Sequence, residues 1–129
     1  MKTIRVAAAV FWRPGAVFAT RRAQGEWAGF WEFPGGKIEA GETSPGALVR
    51  EIQEELGVLI DPGAFFATVT YDYPEFHLFM ETFLCPAPKE PFVLLEHAEG
   101  RWVPLMDLTK LQWLPADRPL VKKIQAELF

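Results

Sequence analysis

Residues 36–58 read GKIEAGETSPGALVREIQEELGV, and the second half of that stretch gathers three like charges, Glu51, Glu54 and Glu55, within little more than one helical turn. Both ends of this helix are marked. Thr43 or Ser44 supplies an N-cap oxygen, Pro45 falls in the first turn where a missing N–H costs nothing, and Gly57 suits the C-terminal stop. The spacing predicts a helix over about 44–56. At about 100° per residue, with Glu51 at zero, Glu55 falls at about +40° and Glu54 at about −60°, while Leu48, Val49, Ile52 and Leu56 lie between about +60° and +160°. An apolar face for a core thus runs beside an acidic face.

Two carboxylates about 5 Å apart repel by roughly 3 kcal/mol at an effective dielectric of about 20, a large fraction of a small domain's stability. On a wet surface salt screens that repulsion, and Arg50 can pair with Glu54 at i, i+4. Facing a cleft, the same acids need a proton or a cation among them, and hard oxygen donors select Mg²⁺, Mn²⁺ or Ca²⁺. The helix alone leaves both readings open. Upstream, Pro34-Gly35-Gly36 and Gly41-Glu42 punctuate the loop that leads into it, and glycine lets backbone approach a ligand closely.

Outward from this helix the chain reads mostly as strands. IRVAAAVFW (4–12) and AVFATRR (16–22), separated by Arg13-Pro14-Gly15, form a hairpin pattern. Further strands are expected at AFFATVTYDY (64–73), FHLFMETFLC (76–85) and RWVPL (101–105). Leu120, Ile124 and Leu128, spaced by four, predict a second helix over about 116–128. Strands around one central helix, with another helix at the end, make a mixed α/β or α+β sandwich.

The 129 residues fit one domain, 1–129, with no repeat or linker-like stretch. Seventeen acids against thirteen bases give a net charge of −4, which argues against a nucleic-acid polymer as partner. A small, multiply charged ligand suits it better. No run approaches the roughly 20 apolar residues that cross a bilayer, and the start MKTIRVAAAVFW lacks a secretory core. The lone Cys85 sits in an apolar run, as a buried free thiol does. A cytoplasmic protein without a membrane partner is expected.

Gly36, Glu42 six residues on, and then REIQEELGV from Arg50 to Val58 together resemble a complete Nudix box, with every fixed and aliphatic position filled. Seven fixed positions at about 1 in 15 each arise by chance at roughly 10⁻⁸ per register. The chain is identified as a member of the Nudix hydrolase superfamily. TRRA, WEFPGGKIEAGE, EHAEGRW (Glu96 to Trp102) and LPADRPLVKKI further resemble its MutT-like and CTP pyrophosphohydrolase-like branch.

The resemblance implies an α/β/α Nudix sandwich with a mixed sheet and Mg²⁺-dependent hydrolysis of a (deoxy)nucleoside triphosphate to monophosphate and pyrophosphate, with Mn²⁺ as a substitute ion. It implies nucleotide-pool sanitising of 8-oxo-dGTP or a related compound, by a monomer or weak homodimer. Glu51, Glu54 and Glu55 become the metal ligands, with the Gly36 carbonyl, and Glu96 is an extra ligand or alternative base. Either Glu51 or Glu54 is the general base. Arg50 orients the acids through its fork, and Glu42 supports the loop. Arg22 and Lys37 are the phosphate contacts.

For the base, Phe33 is implied as a wall and Asp117 as a polar edge. Asp stands where MutT carries Asn; an ionised Asp only accepts hydrogen bonds. That favours CTP, dCTP or a modified pyrimidine nucleotide as the alternative substrate, although a protonated Asp can also donate. Asp117 could equally cap the last helix. A non-catalytic lesion-binding module of Nudix type is the alternative of another class, but such modules tend to lose the acids kept here. His77 and His97 read as histidines satisfied by local partners.

Overall fold

The structure, a computed structural model, describes residues 1–128. In chain order the strands are β1 (Lys2–Arg13), β2 (Ala16–Arg21), β3 (Trp31–Glu32) and β4 (Gly35–Lys37), then helix α1 (Ser44–Leu56). β5 (Ala64–Asp72), β6 (Phe76–Pro86) and β7 (Glu99–Pro104) follow, and 3-10 turns over Leu105–Lys110 and Pro115–Asp117 lead into helix α2 (Arg118–Leu128). The strands form one mixed sheet in which β1 runs parallel to β6 and antiparallel to β2 and β4.

β1 reads as a continuous apolar run because both faces of the sheet are covered. Ala7, Ala9 and Phe11 pack against Leu48, Ile52 and Leu56 of α1, whereas Ala8 and Val10 join the opposite core with Leu120, Val121 and Ile124 of α2. The result is the α/β/α arrangement the sequence implies.

One irregularity positions the site. β1 and β2 pair only at the hairpin, through Trp12↔Val17 and Arg13↔Ala16, and then part. β3 and β4 fill the gap, pairing with β2 at Thr20 and Arg21 and with β1 at Val6, Ala7 and Ala8. Phe33 and Pro34 cross between them, and the Ala9 N–H donates to the Pro34 carbonyl at 2.8 Å. Gly35 and Gly36 therefore lie in extended backbone within the sheet, not in the loop their sequence suggests.

α1 starts and ends where expected. The Thr43 hydroxyl accepts from the Gly46 N–H, and Gly57 closes the helix in the left-handed conformation, φ 67°. α2 begins at Arg118, two residues later than expected, because Pro119 has no N–H for the Pro115 carbonyl and the preceding turn closes as 3-10. Among the described residues no helix is long and apolar enough to cross a membrane.

Candidate active site

A cleft of about 820 Å³ opens beside the sheet, with α1 at one end and the 3-10 turn before α2 at the other. Its wall includes Ile4, Val6 and Ala8 of β1 and Leu78 and Met80 of β6. Glu51, Glu55, Glu96, Glu32, Gly36, Lys37 and Arg22 line it toward α1, and Phe33 and Asp117 toward α2. Most residues singled out in the sequence thus meet on one concavity; Glu54 and Arg50 stand just outside its lining, on α1.

α1 is braced against the preceding loop through Arg50. Arg50 Nε and Nη2 donate to both oxygens of Glu42 at 2.8 and 2.9 Å, Nη2 also donates to the Lys37 carbonyl at 2.9 Å, and Nη1 reaches Glu51 Oε1 at 2.9 Å and both Glu54 oxygens at 3.4 Å. The pair expected at i, i+4 is therefore the weakest of these contacts. The bidentate partner is Glu42, whose carboxyl the guanidinium and the Glu39 N–H hold down to about 2. Arg50 itself is raised by Glu42 and then Glu51.

Glu55 faces inward and is only 5% exposed. Burial first, then the charges of Glu51, Glu32, Glu96 and Glu54, push its carboxyl up to about 9. Burial likewise raises Glu51, against the opposing pull of Arg50. Glu55 Oε2 is buried without a hydrogen-bond partner, a costly condition for a carboxylate unless something cationic or protic meets it.

Whether a divalent cation fits is decided by these atoms. Among the described residues no three acidic, histidine or cysteine side chains already converge as a ligand set, since Glu51 and Glu54 both lean on Arg50 Nη1. Yet the orphaned Glu55 oxygen, the adjoining carboxylates and the bare Gly36 backbone suit a hard ion held by oxygen. A Cβ on Gly36 would run into the Glu51 carboxyl group. The cradle depends on glycine there.

At the other end Asp117 is 4% exposed, and Oδ1 accepts from the Phe33 N–H at 3.3 Å. It does not cap α2, because its hydrogen bond crosses to the strand-linking segment instead. Burial, with Glu32 nearby, raises its carboxyl well above the usual range. Phe33 is buried, and its ring stacks on Trp113 with centroids 4.8 Å apart, so one face is already taken. Tyr73 accepts from the Ala116 N–H at 3.2 Å and steadies this end of the cleft.

Two residues in the cluster escaped the sequence reading. His97, read as a loop histidine with a local partner, has a side chain 5% exposed, with Nε2 3.2 Å from Glu32 Oε2 and 3.5 Å from Glu55 Oε1. Glu32, between the buried aromatics Trp31 and Phe33, also meets Arg22 at 3.7 Å. The available signals were the alternation of an acid with two large aromatics and a histidine directly after Glu96. Cys85 is buried and its thiol is raised by burial, as expected of a packing residue.

Known proteins resemble this chain over its whole length. It is 34% identical to the 8-oxo-dGTP diphosphatase of Escherichia coli K12, across 97% of this chain and 98% of that protein. It is also 34% identical to the CTP pyrophosphohydrolase of the same organism, across 98% and 94%. The solution structure of the E. coli ORF135 protein superposes with a TM-score of 0.86 at 33% identity, covering 98% of this chain and 91% of that one. Residues 1–124 match the NUDIX domain, and with an intact box on a helix that borders the cleft, the chain belongs to that family.

Proposed function

We propose that this protein hydrolyses a (deoxy)nucleoside triphosphate to the monophosphate and pyrophosphate, using Mg²⁺ with Mn²⁺ as a substitute. The observation that carries the reading is a single cleft, about 820 Å³, with Glu51 and Glu55 at one end and the buried Asp117 at the other. That span suits a nucleotide. The names of its full-length relatives, an 8-oxo-dGTP diphosphatase and a CTP pyrophosphohydrolase, support the same class.

In this reading Glu51, Glu54, Glu55 through its free Oε2, and Glu96 hold the cation together with the Gly36 carbonyl. A bound divalent ion neutralises phosphate charge and acidifies the attacking water. Arg50 keeps Glu51 and Glu54 oriented, Arg22 and Lys37 meet phosphate oxygens, and Glu51 or Glu54 takes the water's proton, with Glu96 the alternative base. Phe33 and the apolar wall hold the base against the Asp117 edge.

Asp117 favours a second reading of the substrate. With Oδ1 committed to the Phe33 N–H, Oδ2 is the oxygen left for the base: ionised it accepts from the exocyclic amine of a cytosine, which supports CTP, dCTP or a modified pyrimidine nucleotide, and protonated it donates, which keeps 8-oxo-dGTP beside them. One domain carries every group named, which suits a monomer or weak homodimer, and the buried free Cys85 suits the cytoplasm. Incubation with Mg²⁺ and dGTP, 8-oxo-dGTP, CTP, dCTP or 5-methyl-dCTP, read as pyrophosphate release, tests this; no turnover on any of them rejects it.

A further inference from the structure

The segment after Phe92 crosses the C-terminal end of α1: Val93, Leu94 and Leu95 are all exposed, and so are Glu96 and Ala98. His97 alone of that run turns its side chain in. The backbone is tied down on both sides of it. The Val93 N–H donates to the Leu56 carbonyl at 2.9 Å, the Leu95 N–H to the Glu55 carbonyl at 3.0 Å, and the Ala98 N–H to the Arg21 carbonyl at 3.0 Å.

Glu55 is consequently met twice by one segment: its carbonyl accepts from Leu95, and its Oε1 lies 3.5 Å from His97 Nε2. Glu96 lies between those two contacts. Nε2 hydrogen-bonds Glu32 Oε2 at 3.2 Å, an acceptor that assigns it the donor role and holds the imidazole edge toward Glu55. His97 Nδ1 is buried with no partner at all. An apolar side chain would fill the same space without an orphaned nitrogen, so packing does not account for a histidine here.

We propose that His97 is a positioning residue: its Nε2–H, bonded to Glu32 with Glu55 Oε1 3.5 Å away, holds the Glu55 carboxyl so that Oε2 stays free for the cation, and fixes Glu96 beside α1. The proposal rests on the cation-dependent reading of this site. Groups that hydrogen-bond a metal-ligating carboxylate set its direction and thereby the affinity of the site.

The test titrates Mn²⁺ alone into chelator-treated full-length protein, following free Mn²⁺ by electron paramagnetic resonance, for wild type, His97→Leu, His97→Asn and His97→Gln. Pyrophosphate release under saturating Mn²⁺ and a melting curve accompany each. His97→Leu should weaken Mn²⁺ binding by about 10–100-fold and lower kcat more than it changes KM. His97→Gln, whose amide nitrogen reaches the Nε2 position, should recover most of the binding, and His97→Asn, whose amide falls short, should not. If His97→Leu fails to fold, the Gln and Asn pair carries the comparison. Wild-type Mn²⁺ affinity in His97→Leu, or Gln behaving no better than Asn at equal stability, overturns the positioning role. Wild-type protein that binds no Mn²⁺ overturns instead the reading beneath it.

Discussion

Arg50 and Glu42 are joined by two parallel hydrogen bonds, 2.8 Å from Nε and 2.9 Å from Nη2, eight residues apart in the chain. The remaining nitrogen, Nη1, is thereby pointed at Glu51 and Glu54. A lysine would keep the charge and lose the fork. Arg50→Lys is expected to lower kcat by about tenfold or more, as loss of an outer hydrogen-bonding partner does, and to lower the melting temperature. Pyrophosphate release and calorimetry check this, and a wild-type rate in Arg50→Lys would show that charge alone suffices.

Glu55 makes stability depend on pH. Its carboxyl titrates at about 9 in the fold against an ordinary 4.5, so between those values the native state holds a proton that the unfolded chain has lost. Chelator-treated protein should therefore lose stability as pH rises from about 4.5 to about 9, by at most about 1.4 kcal/mol per pH unit from this group. The raised Asp117 carboxyl acts with the same sign above its ordinary 3.8. Denaturant unfolding across this range should show the decline, Glu55→Gln should flatten it, and added Mg²⁺ should stabilise more strongly at pH 8 than at pH 6. Equal slopes in wild type and Glu55→Gln would remove Glu55 as its source.

Asp117→Asn preserves the acceptor for the Phe33 N–H and replaces the second oxygen with an obligatory donor. If that oxygen reads the base, the ratio of kcat/KM for 8-oxo-dGTP over CTP should move by about fivefold or more, the scale of one specific base contact. An unchanged ratio with lowered stability would leave Asp117 as a tie between Phe33 and the turn before α2.

Much of this was legible in the sequence because its cause was local. The apolar run of β1 announces burial on both faces, and Thr43, Pro45 and Gly57 delimit α1 by capping chemistry alone. β3 and β4 were not legible: two- and three-residue strands, one containing two glycines, exist only because β1 and β2 part and leave edges to pair with. His97 meets Glu32 across 65 residues and Arg50 favours Glu42 over Glu54. Such preferences are set when loops dock, and no helical periodicity encodes them.

Gly36 separates a demand of the site from a demand of the fold. It pairs with Ala7 in the sheet, where alanine is conformationally acceptable, yet a Cβ there would run into the Glu51 carboxyl group. Gly41 is the converse, with φ at +84° and open space around it, so a side chain strains only the backbone. Gly36→Ala should force Glu51 aside and lower kcat by at least about a hundredfold, the cost of misplacing a catalytic group by about 1 Å, with the melting temperature changed little. Gly41→Ala should destabilise by about 1–2 kcal/mol while losing far less activity. Rates and denaturation curves on both variants decide it: if Gly36→Ala retains turnover, Glu51 has room to retreat and still work, and its contact with Gly36 is packing alone.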